Sequence, residues 1–241
     1  MASGHALRRA LARMTGRLRV VAAKWRAAGG LPEPSAEPDT IARVLMACAR
    51  AGMHRSVHDA LDALCREALA HQPGHETLTA AAARWYLATG RPDEARLVCE
   101  EAFGHNAAGV AHDHAVQSVW GEALLILNRE REAVWRLEAA CAAEGVTAED
   151  WAHFAWACCR TGRYEQALEA GQKTLGRSWT RPETIDSAAL AMATAHYCLG
   201  RMDEAERLLV DLLSRVPHHA DARRLLSKVR NFMGKGMQHE T

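Results

Sequence analysis

The stretch "GRPDEA", residues 90–95, returns as "GRYEQA" at 162–167 and as "GRMDEA" at 200–205. The first copy stands between the aromatic pair Trp85-Tyr86 and a run of alanine, arginine and leucine. Aligning the glycines extends the series: Gly52, Gly90, Asn128, Gly162 and Gly200 are 38, 38, 34 and 38 residues apart. Five residues after each comes a small apolar side chain (Val57, Ala95, Ala133, Ala167, Ala205), and seven before each stands Leu45, Ala83, Gly121, Ala155 or Ala193. Two antiparallel helices joined by a tight turn approach closely where small side chains meet. The turn favours Gly or Asn because a helix commonly ends on a residue of positive φ. Acidic or amide residues just after it satisfy free N–H groups and suit the helix dipole. The hexapeptide therefore predicts the end of one helix, a turn, the start of the next, and the contact between them.

Phased in this way, the residues resemble the tetratricopeptide repeat (TPR) pattern W-x2-L-G-x2-Y…A-x3-F…P. Around 148–179 the matches are Trp151, Phe154, Ala155, Cys158, Tyr164 and Ala167; around 186–217 they are Ala189, Met192, Ala193, His196, Ala205, Leu209 and Pro217. Residues 76–107 supply Ala83, Tyr86, Ala95, Cys99 and Ala102, while 38–71 and 114–145 match more loosely. The resemblance implies an all-α, right-handed TPR-like solenoid of about five helix pairs over residues 38–217. The four extra residues in most periods lengthen a helix by a turn or enlarge a loop. Residues 218–233 read as a capping helix with Ala222, Leu225, Leu226 and Val229 on one face, and 234–241 as a fraying tail.

The formal net charge of +1 hides an uneven distribution. Residues 1–30 hold Arg8, Arg9, Arg13, Arg17, Arg19, Lys24 and Arg26 and no acid. Within residues 6–30, Leu7, Leu11, Met14, Leu18, Val21 and Trp25 recur at steps of 4, 3, 4, 3 and 4, an apolar stripe on a basic amphipathic helix. Gly29-Gly30 ends it, and residues 31–38 form a proline-spaced linker. Four roles fit this arm: a cap on its own array, a surface helix on an anionic membrane, a docking helix for another protein, and an organelle transit peptide. As a membrane or docking device, Arg8, Arg9, Leu11, Arg13, Leu18 and Trp25 would make its contacts. DNA is not expected as a partner, because one short arm on an acidic body neutralises few phosphates.

Seven cysteines (48, 65, 99, 141, 158, 159 and 198) form no C-x-x-C and fall at small-residue positions of helical patterns. They read as reduced, buried thiols in a cytoplasm-like compartment, with peripheral membrane attachment as the alternative location. No run of 18 uncharged apolar residues and no secretory leader is expected.

No nucleotide-binding, metalloprotease, hydrolase or kinase signature occurs, so neither an enzyme nor a cofactor is expected. His54 and His58 lie four apart and His112 and His114 flank Asp113, without convergent further ligands in the sequence, so no metal is expected. What such an array offers is surface. The first helix of each pair lines the concave groove, which places Met46, Arg50, Arg84, Leu87, Glu122, Leu125, Trp156, Cys159, Arg160, Leu190, Thr194 and Tyr197 on it. Trp, Tyr and Arg are favoured anchor types, although interhelix packing accounts equally well for Trp156 and Tyr197. The expected function is a non-enzymatic scaffold or adaptor binding a partner peptide or helix. The alternatives are a membrane-recruited assembly factor and a self-assembling subunit. The Lys/Asn clamp with which some TPR proteins hold a chaperone tail lacks its lysines here.

Overall fold

The computed structural model describes residues 37–51, 58–105, 113–177 and 180–236. The basic arm, Gly52, Val57, His54, His112 and residues 237–241 lie outside this set. The described residues form eleven α-helices and no strand. They group into two compact units divided after Leu127.

The first unit contains α1 (Pro38–Ala51), α2 (His58–His71), α3 (Glu76–Ala88), α4 (Pro92–His105) and α5 (His114–Ile126). Helix α3 is its centre and packs against all four others. Its run Ala80–Ala83 is buried throughout, and the lack of bulk there lets neighbouring backbones come near on several sides. Trp85, 1% exposed, fills the space beside α2, and its Nε1 donates to Asp62 Oδ1 at 2.8 Å.

The second unit contains α6 (Glu130–Ala142), α7 (Ala148–Arg160), α8 (Tyr164–Leu175), α9 (Pro182–Cys198), α10 (Met202–Arg215) and α11 (Ala220–Gly236). Thr147 and Asp150 open α7 with a reciprocal capping box, and Pro182 opens α9 at a position where a missing N–H costs nothing. At 17 residues α9 is a turn longer than α6, α7 and α8, which absorbs four extra residues of the period. Helix α11 also runs 17 residues, through Gly236, three residues into the stretch expected to fray. Ala222 and Val229 of α11 are fully buried with Leu209 and Leu212 of α10 and Ala193 of α9. Each leucine so covered contributes about 2 kcal/mol.

The repeated hexapeptide acts as the spacing predicts. Gly90, Gly162 and Gly200 have φ of 76°, 79° and 76°, and Asn128 has 57°. In each glycine turn the Gly N–H donates three residues back (to Leu87, Cys159 and Tyr197). The following Arg N–H donates five back, to Tyr86, Cys158 and His196, at 2.8–2.9 Å. This pair of bonds closes a helix C-terminus and leaves the chain aimed into the next helix. The arginine side chain then reaches the second helix of the preceding pair: Arg91 to Asp62, Arg163 to Glu138 and Arg201 to Glu165. Ala95, Ala133, Ala167 and Ala205 are fully buried, as are Leu45, Ala83, Ala155 and Ala193.

Candidate partner-binding cleft

In the first unit α1, α3 and α5 pack side by side. Arg84 of α3 reaches across to α5, with Nη1 3.3 Å from Glu122 Oε2 and Nη2 3.4 Å from Ser118 Oγ. The two ions are about a quarter to a third exposed, so one face of each remains open to solvent. Leu87 and Leu125 lie one turn beyond Arg84 and Glu122 and are half-buried. Arg50 is exposed in the last turn of α1. This row is a strip cross-linked by an ion pair.

In the second unit α7 packs beside α9, and α9 touches α11. Between these three helices lies an open cleft of about 230 Å³ lined by Trp156, Leu190, Thr194, Asp221, Arg224, Leu225 and Lys228. Trp156 is half-buried: its ring packs against the α9–α11 cluster, and its Nε1 donates to Ser187 Oγ at 2.8 Å. With its polar atom satisfied, the indole presents apolar surface to the cleft. Leu190 and Leu225 complete the apolar lining. Thr194 turns its hydroxyl inward to donate to Leu190 O at 2.8 Å, which leaves its methyl group as the cleft-side contact. Arg224 and Asp221, both exposed, pair at 2.6 Å on one turn of α11, with Lys228 one turn further on.

Of the residues expected on the groove in this unit, Trp156, Leu190 and Thr194 meet at the cleft. Tyr197 packs against the same apolar cluster. Arg160 is spent elsewhere, with Nη2 2.7 Å from Asn128 Oδ1 and 2.9 Å from Glu130 Oε1. Cys159 corrects the sequence expectation: it is 7% exposed, and its thiol donates to Ala191 O at 3.0 Å, inside the α7–α9 contact. Burial pushes Cys48, Cys158 and Cys159 up to about 12, and pushes Cys65 and Cys141 higher still, so these thiols stay protonated and unreactive. Cys198 departs from the expected burial and is exposed. Among the described residues no group of three or more His, Cys, Asp or Glu is placed to hold a metal ion.

The contributions of α11 were not foreseen. Its stripe Ala222-Leu225-Leu226-Val229 reads as a cap, but Leu225 sits at the edge of that stripe and faces the cleft. The readable signal was the charge of α11: Arg223, Arg224, Lys228, Arg230 and Lys235 against Asp221 alone.

No protein-family model matches the chain, and no curated protein is similar to it in sequence. Solved structures are similar in shape. YrrB, described as a TPR protein with an unusual peptide-binding site, matches with a TM-score of 0.59 at 15% identity, over 78% of this chain and 91% of its own. MamA from Desulfovibrio magneticus RS-1 matches with 0.57 at 15% identity, over 79% and 99%. The fold is that of the tetratricopeptide repeat. A TPR protein from Parabacteroides merdae agrees, with 0.57 at 14% identity over 82% of this chain and 75% of its own. In TPR terms α7, α9 and α11 are successive first helices, and the cleft lies along the row they form. Among the described residues no helix is long and apolar enough to cross a membrane.

Proposed function

We propose that this TPR chain is a non-enzymatic scaffold or adaptor that binds a segment of a partner protein along its first helices. The observation that carries this reading is the cleft of the second unit. There an indole with its N–H already satisfied and two leucines line a recess at the meeting of three helices, beneath a charged rim. That combination suits the capture of one large side chain of a peptide or helix, with polar groups fixing its orientation. A TPR fold alone does not assign a function. YrrB, described as having an unusual peptide-binding site, supports peptide capture by analogy. Arg84, Leu87, Glu122 and Leu125 would extend recognition on the first unit, with Arg50 at its margin. Arg160 and Tyr197 would act by holding their helices in place.

The test is site-specific photo-cross-linking in native extract. A photoreactive residue replaces Thr194 in the cleft or, as a control, Val210 on the outer face of α10, which is 46% exposed. The reading requires a protein adduct at position 194 that is absent at 210 and that Leu225→Asn suppresses while the thermal midpoint is kept. Equal labelling at the two positions, or none at 194, overturns it.

A further inference from the structure

The chemistry of the cleft narrows its occupant. Helix α11 carries five basic side chains and one acidic one. Two of the basic groups are balanced within the unit: Arg224 by Asp221 at 2.6 Å and Arg230 by Glu206 at 2.6 Å. Lys228 lines the cleft and is exposed, and no carboxylate of the described residues pairs with it. An exposed ammonium beside a recess of mixed apolar and polar lining is a fixed positive charge at the edge of a surface that an incoming apolar group would partly dry. Excluding water there strengthens its attraction for an anion and its repulsion of a cation. The chain's own basic segment, residues 1–30, is therefore the wrong sign for this site.

We infer that the cleft takes an acidic amphipathic peptide: one large apolar side chain seats against Trp156, Leu190 and Leu225, and a carboxylate about one helical turn away reaches Lys228. Asp221 lines the same cleft and balances Arg224, so Lys228 supplies the uncompensated charge. The volume of about 230 Å³ admits one anchor side chain, so specificity comes from the anchor and the charge beside it, not from a long apolar face. This inference rests on the peptide-binding reading above and adds the partner's sign and pattern.

A displayed library of random 12-residue peptides, selected on the full-length chain, tests it without knowledge of the natural partner. The expected winners share an aromatic or leucine residue with Asp or Glu three or four positions away. As synthetic peptides they should bind Lys228→Glu about tenfold or more weakly, a loss of about 1.4 kcal/mol or more. Leu225→Asn should weaken them all. Lys228 is exposed, so its substitution leaves the fold intact, and a thermal melt checks this for both variants. Winners that are neutral or basic yet lost in Leu225→Asn overturn the acidic assignment and leave the cleft as a peptide site. An unenriched library, or winners indifferent to Leu225→Asn, overturns both.

Discussion

Asp62 accepts one hydrogen bond from Trp85 Nε1 and two from the guanidinium of Arg91, at 2.5 and 2.6 Å, while its own side chain is 11% exposed. Burial alone would raise its pKa. The hydrogen bonds from Arg91 and Trp85, with the Arg91 charge, outweigh burial and hold the carboxyl below its ordinary 3.8. A carboxyl depressed in the folded state stabilises above its unfolded value, and that contribution is lost as pH falls through the native value. Asp62→Asn keeps an acceptor for Trp85 but turns an amide toward Arg91, so it should cost about 3 kcal/mol at neutral pH. Chemical denaturation against pH checks both halves: the variant is weaker at pH 7, and its stability falls less steeply below about pH 4. A parallel acid limb would mean that other carboxylates carry the effect. At Gly162 the cause is backbone conformation alone, because a Cβ added there meets nothing within 4 Å. Gly162→Ala should cost about 1–2 kcal/mol. Gly162→Asn should cost less, since Asn128 already occupies the equivalent turn with φ of 57°. Urea midpoints in the order Gly, Asn, Ala are required.

Between elements, a glycine of α8 closes against a methionine of α9. A Cβ on Gly171 of α8 would run into Cγ and Sδ of Met192, on the buried side of α9. Alanine gains about 1 kcal/mol in helix propensity, against overpacking of about 1–3 kcal/mol. Met192 is 6% exposed and has little room to swing away, so the clash wins and Gly171→Ala destabilises. Met192→Ala alone opens a cavity and costs about 2–5 kcal/mol. In the Gly171→Ala background it should cost at least about 1 kcal/mol less, because the new methyl group enters the space it vacates. Additive losses in that cycle would show that Met192 repacks freely. This contact also marks the limit of what the sequence discloses. A turn Gly or Asn and a small apolar residue five positions later recur in all five repeats, so their spacing names the fold, and it marks the buried Ala95, Ala133, Ala167 and Ala205. The Trp85 that donates to Asp62, the Met192 that closes on Gly171, and the Leu225 that faces the cleft occur once each. The first two join residues 23 and 21 apart, and no repeat of the pattern marks any of the three. Trp156 was legible as a candidate anchor because its position could be projected onto the first-helix face. Cys159 was misplaced by the same projection, because α9 packs closely enough on α7 to cover it.

Across the whole molecule, charge is segregated along the chain. Residues 1–30 carry seven basic and no acidic groups, residues 31–127 carry seven basic and thirteen acidic, and residues 128–241 carry sixteen of each. The last two stretches meet where the chain divides into its two compact units, so a charge of +7 precedes a stretch at −6, and the stretch of the second unit is neutral. Only seven residues, 31–37, separate the basic segment from α1, so along the chain the nearest opposite charge is that of residues 31–127. At low salt that segment should therefore populate the surface of the first unit in preference to the second. The chain has four lysines, Lys24, Lys173, Lys228 and Lys235, and only Lys24 belongs to the basic segment. A carbodiimide joins an amine to a carboxylate only in direct contact, so mass spectrometry of the monomer band reads where Lys24 spends its time. Cross-links from Lys24 should fall on carboxylates of residues 39–122 several-fold more often than on those of residues 128–241. They should fade as ionic strength rises past physiological, where the screening length is about 8 Å, and vanish in Lys24→Arg. Lys173, 2.7 Å from Glu169, supplies a link that must form in every sample. If that control links while Lys24 reacts equally with both units, or only within dimers, the segregated charge does not bring the basic segment to its own first unit.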